Sequence, residues 1–77
     1  MTALDMQQWR DGRKAADDAT CALKEALAAC GFPEHQYRHA RPVVTHSGRP
    51  YVHFGLVPAA MVEKIAEALR REAPSKP

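Results

Sequence analysis

"RHARPVVTHSGRPYVHFG", residues 38–55, decides the architecture of this 77-residue chain. The stretch holds three arginines, three histidines and no acid, with strand-forming residues on both sides of Ser47-Gly48. Two such runs separated by a glycine-containing break read as a β-hairpin. Register then decides which side chains share a face, because a slip of one residue moves every side chain to the other side. A two-residue loop at Ser47-Gly48 would set Val43 against Val52 and Arg41 against Phe54. A three-residue loop, Ser47-Gly48-Arg49, sets Val44 against Val52, Pro42 against Phe54 and Ala40 against Leu56, and makes one face uniformly apolar. The second register is the expected one, over strands 36–46 and 50–57. It places Gly48 near the left-handed position such loops require. It also makes the Pro42 strand an edge, since proline cannot donate to an inner ladder.

The flanks read as helices. Ahead of the hairpin, Met6, Trp9, Arg13, Ala16, Thr20, Leu23, Leu27 and Cys30 recur at three-four spacing. One stripe of a long helix is therefore largely apolar, most of all after residue 16. Thr2 and Asp5 have the spacing of a capping box at its start. Gly12 costs about 1 kcal/mol relative to alanine in a helix, which predicts that the first ten or so residues are frayed or form a separate turn. Trp9 is expected to fold onto the core from that segment, the alternative being an exposed anchor for a partner. "ALAACGFP", residues 26–33, is the stop: Gly31 for the left-handed position, Phe32 to fold back on Ala26 or Leu27, and Pro33 to bar continuation. The helix should end at Cys30.

Beyond the hairpin, Pro58 suits the first helical position. Met61, Val62, Ile65, Ala68 and Leu69 form the expected buried stripe of this second helix, and Glu67 can pair with Arg71. Arg70 and Arg71 sit where the helix dipole favours cations. The expectation is one α+β domain over residues 1–73, in α-β-β-α order, with two helices packed on one face of a two-stranded antiparallel hairpin and a disordered tail at 74–77. A two-stranded sheet is weak alone. A homodimer joining sheets or helices is the expected remedy.

Composition excludes several classes. Hydrophobic residues at 45% and charged residues at 26% are those of a globular chain rather than a disordered one. No apolar run approaches the roughly 20 residues that span a bilayer, so no membrane partner is expected. The opening "MTALDMQQWRDGRK" carries an acid and lacks the apolar core of a secretory signal, which points to a cytoplasmic protein. Cys21 and Cys30 lie about 13.5 Å apart along one helix and half a turn out of phase, too far for a disulfide. They are expected as free thiols, buried or half-buried. The net charge of +2 is unevenly placed: −2 over residues 1–34, +3 over 35–57 and +1 over 58–77. Positive potential collects on the hairpin.

In the expected register the outer face of the hairpin shows Tyr37, His39, Arg41, Val43, Thr45, Tyr51 and His53. Tyrosine and arginine are the residues of binding hot spots. The candidate partner-binding residues are accordingly Tyr37, His39, Arg41, Arg49, Tyr51 and His53. The leading reading is a small non-enzymatic module, an adaptor, inhibitor or regulatory subunit, that binds a larger protein through the hairpin. Single-stranded nucleic acid is the alternative partner, with Arg38, Arg41 and Arg49 on phosphate. About three phosphate contacts would make that binding weak and salt-dependent. Catalysis has no constellation to support it: there is no Ser-His-Asp set and no glycine-rich phosphate loop, and Asp17 and Asp18 point about 100° apart on a helix. Neither a metal nor a cofactor is expected. His39 and His53 share a face but stand about 13 Å apart in the expected register.

The hairpin followed by "LVPAAMVEKIAEAL", residues 56–69, resembles the hairpin-helix part of small docking domains that couple large assembly-line enzymes. The resemblance covers about half the chain, and the long first helix departs from it. It implies recognition of a partner segment along a strand edge.

Overall fold

The computed structural model describes residues 3–72, with side chains from residue 6 onward. The Thr2–Asp5 capping box and the 74–77 tail lie outside the described residues and side chains. Helix α1 (Ala3–Ala29) leads through a 3-10 turn at Glu34–Gln36 to strands β1 (Arg41–Val44) and β2 (Pro50–His53), followed by helix α2 (Ala59–Glu72). The protein is α+β in α-β-β-α order, and its sheet is a two-stranded antiparallel hairpin.

Helix α1 runs unbroken through Gly12, contrary to the frayed start expected from propensity. Its solvent face is laced at i,i+4: Gln7 Nε2 donates to Asp11 Oδ1 at 2.9 Å, Arg13 pairs with Asp17 at 3.4 Å and Lys14 with Asp18 at 3.0 Å. Each pair supplies a few tenths of a kcal/mol. The opposite face buries Gly12, Ala16, Thr20 and Leu27, with Leu23 half-buried. These side chains are small toward the N-terminal end, so the hairpin can lie close to the helix there. Thr20, buried among them, satisfies its hydroxyl by donating to the Ala16 carbonyl at 2.7 Å. The approach is closest at Gly12. A Cβ added there would overlap the carbonyl oxygen of Gly48 and stand 3.4 Å from Val44 Cγ1. The glycine that propensity marks as a weakness is what admits the hairpin turn.

The C-terminal stop of α1 forms as expected, one residue earlier. The Phe32 amide donates to the Leu27 carbonyl at 3.1 Å and the Gly31 amide to Ala28 at 3.0 Å, with Gly31 at φ 89°. This is a Schellman motif. Phe32 folds back onto the cluster that contains Leu27.

The hairpin pairs Arg41 with His53, Pro42 with Val52, Val43 with Tyr51 and Val44 with Pro50. The expected register, which set Val44 against Val52, is therefore replaced. Its loop length was right and its position was one residue late: the loop is His46-Ser47-Gly48. The Gly48 amide donates to the Thr45 carbonyl at 2.9 Å, the Thr45 amide to the Arg49 carbonyl at 3.0 Å, and Gly48 takes φ 87° at the third loop position. The Thr45 hydroxyl also accepts the Arg49 amide at 3.1 Å. Thr45 thus binds the turn with both backbone and side chain, a contribution that alternation of apolar residues does not reveal. Because the slip is even in sum, each side chain keeps its expected face. Pro42, Val44 and Val52 are half-buried, with Val44 against α1, while Arg41, Tyr51 and His53 are exposed on the outer side.

Both strands are shorter than expected. Residues 37–40 bond locally, with the Arg38 amide on Glu34 at 2.9 Å and the Ala40 amide on Tyr37 at 3.0 Å. Local turns satisfy these groups because β2 ends at His53 and offers no partner opposite them. At the other end Gly55, at φ 84°, turns the chain so that Leu56 stands wholly in solvent instead of facing Ala40.

Helix α2 opens with the Pro58 carbonyl accepting the Val62 amide at 3.1 Å. It joins the fold through side chains: Met61 is buried with Leu27 and Tyr37, and Leu23, Phe32, Phe54, Val57 and Ile65 pack around that cluster. The expected buried stripe divides. Met61 and Ile65 face the cluster, whereas Val62 is 48% and Leu69 66% exposed. Among the described residues Glu67 makes no ion pair with Arg71.

Candidate functional site

Three of the six expected partner-binding residues come together on the outer face of the hairpin. Arg41 and His53 are directly opposed across the strands, and Tyr51 stands opposite Val43 two pairs further toward the turn, the next pair on the same face. Tyr51 is 53% exposed. Side chains of directly opposed residues lie about 5 Å apart at Cβ, so a cation, an imidazole, a phenol and a valine form one continuous patch. Helix α1 covers the other face, through Val44. Arg41 makes no ion pair among the described residues. The Arg41–His53 pair is better matched to an anion supplied from outside.

Of the remaining three, only His39 borders this patch, at its Gly55 end. Tyr37, expected on the open face, is buried at 9% exposure in the core with Leu27 and Met61. The 3-10 turn after Pro33 rotates it inward, a geometry that an extended reading of residues 36–46 misses. His39 is exposed in the turn ahead of β1, beside Gly55. Arg49 lies in the pair that closes the turn and lines a shallow groove with Gln8 and Asp11 of α1. Arg38 also lies off the hairpin, with its carbonyl held by Lys24 Nζ at 3.4 Å.

Sequence reasoning missed other exposed groups. Trp9, expected in the core, is 43% exposed, as is Met6 one helical turn before it. Arg13 in the same expected stripe was the available signal, since a charged residue there marks the end of the buried face. Cys21 and Cys30 are exposed free thiols, not half-buried ones. A helix end packed by Leu27 and Phe32 leaves Cys30 on the solvent side, where it lines an open cleft with Gln36, Lys64, Glu67 and Arg71.

The register also decides what the strand edges can do. Since the closing bond joins Thr45 and Arg49, alternation makes Val43–Tyr51 and Arg41–His53 the hydrogen-bonded pairs. Pro42 and Pro50 then occupy the pairs whose backbone groups point outward, one on each edge. Each edge has lost an outward donor, which blunts the addition of a further strand. Edge recognition, implied by the resemblance to docking domains, has little backbone to work with here.

Among the described residues no group of three or more His, Cys, Asp or Glu is placed to hold a metal ion. The register brings His53 opposite Arg41, two residues nearer His39 than expected. No described helix is long and apolar enough to cross a membrane. Fold and site together define a small α+β domain whose hairpin is covered on one face and open on the other. No protein-family model, curated protein or solved structure matches the chain.

Proposed function

We propose that this protein is a small non-enzymatic interaction module that binds a larger protein through the outer face of its hairpin. The observation that carries this reading is the exposed set of Arg41, Tyr51 and His53 around half-buried Val43, on a two-stranded element packed from behind by α1. An exposed tyrosine beside an arginine supplies apolar area and a directional cation at small entropic cost. The partner surface that fits presents an acidic side chain next to an apolar one. Binding is by face rather than by strand addition, because a proline occupies an outward position on each edge. The exposed, unbridged thiols suit a reducing compartment, in keeping with action in the cytoplasm.

The protein reading is preferred to nucleic acid because the arginines are dispersed. Arg49 stands at the turn end, about 13 Å along the strands from Arg41, and Arg38 lies off the hairpin, which leaves fewer cations in one place than phosphate tracking needs.

Arg41→Glu and Tyr51→Ala should each weaken capture of the partner by on the order of tenfold or more. The check is affinity capture from native lysate, with and without nuclease, followed by titration of the recovered protein against wild type and both variants. Capture that survives nuclease and falls with both substitutions supports the reading. Capture unchanged in both variants removes the hairpin face as the site, and capture that disappears with nuclease transfers the patch to nucleic acid.

A further inference from the structure

We infer that α2 is a homodimerisation helix, pairing antiparallel with α2 of a second copy through Val62, Ala66 and Leu69. The helix has two apolar stripes side by side. One, Met61 and Ile65, is used within the chain. The other follows the spacing of a helix-pair seam, four residues and then three: Val62 is 48% and Leu69 66% exposed, with Ala66 half-buried between them.

The order of charges along the seam selects the occupant. Glu63 and Arg70 each follow a seam residue by one position, so they flank it on the same side, and together with Val62, Ala66 and Glu67 they line one shallow groove. When two such helices run antiparallel with Val62 beside the partner's Leu69, Glu63 of each meets Arg70 of the other. The two contacts are equivalent by the twofold axis, as an isologous interface requires. In a parallel pairing this flank faces the other flank of the partner helix, so Glu63 does not meet Arg70. The surface is thus complementary to itself in one orientation.

The sheet edges are poor candidates for pairing two copies, with an outward proline on each. Leu56, wholly exposed three residues before α2, adds apolar surface near the start of this helix.

The test is sedimentation velocity on the full chain from micromolar to submillimolar concentration. Wild type is expected to sediment with twice the 8.5 kDa chain mass. Glu63→Arg and Arg70→Glu each turn both contacts repulsive and should weaken the dimer by on the order of tenfold or more. An equimolar mixture of the two variants should form a heterodimer, and the double variant Glu63→Arg/Arg70→Glu should recover the homodimer. Both positions are exposed, and circular dichroism of each variant separates loss of pairing from loss of fold. Wild type monomeric throughout, or single variants that dimerise as wild type does, would overturn the inference. Arg41→Glu and Tyr51→Ala should leave the dimer intact, so the hairpin reading and this one fail separately.

Discussion

Replacing Gly12 with alanine should destabilise the protein by about 3 kcal/mol, a melting-temperature loss of roughly 12–24 °C for a domain of this size. Helix propensity alone gives the opposite sign, because alanine in a helix interior gains about 1 kcal/mol over glycine. The difference comes from the hairpin turn. An added Cβ would overlap the Gly48 carbonyl oxygen, a backbone atom that no rotamer change can remove. The turn lies close to α1 at Gly48 as well: a Cβ there would lie 3.1 Å from the Gln8 carbonyl oxygen, at φ 87°. To accept alanine at residue 12 the turn must lift from α1 and loosen Val44 with it. Gly31→Ala is the matched control. Its Cβ would meet nothing within 4 Å, and only its φ of 89° opposes substitution, at about 1 kcal/mol. Thermal and urea unfolding followed by circular dichroism should rank Gly12→Ala well below Gly31→Ala. A Gly12→Ala protein as stable as wild type would mean that the turn does not rest on the helix.

Met61→Ala should cost about 2–5 kcal/mol at its site, because a large buried side chain leaves a cavity that its surroundings only partly fill. Met61 is 2% exposed and is the largest fully buried side chain described. The loss should be local. Close backbone packing joins α1 to both strands and the strands to each other, whereas α2 is attached through Met61 and Ile65. A helix of 14 residues is marginal in water once undocked. Hydrogen exchange should therefore show α2 amides losing protection while α1 and the hairpin keep theirs. Equal loss in all elements would show that α2 belongs to one cooperative unit with the rest. In a chain this small the total stability is of the order of 3–5 kcal/mol, so either substitution removes much of it.

Much of this fold was legible because the relevant forces are local. The Schellman stop at Gly31, Phe32 and Pro33 depends on the conformations of a few consecutive residues. The period of Ala16, Thr20, Leu23 and Leu27 reports a helix face directly. The outer-face placement of Arg41, Tyr51 and His53 survived a wrong register, since a slip of even sum preserves the facing of every side chain. Tyr37 did not survive, because a 3-10 turn has no periodic signature and its rotation follows from where the chain must go after Pro33.

By itself the sequence determined the order of elements, the end of α1, the three-residue length of the hairpin loop and the sign of charge on the outer face. Tertiary structure decided the rest. Gly12 reads as a defect until Gly48, 36 residues away, is seen against it. The apolar stripe of α2 reads as one surface until Met61 and Ile65 are taken by Leu27 and Tyr37, leaving Val62 and Leu69 open. In both cases local pattern shows which residues can be buried, while the neighbours that bury them come from distant parts of the chain, whose positions no local period encodes.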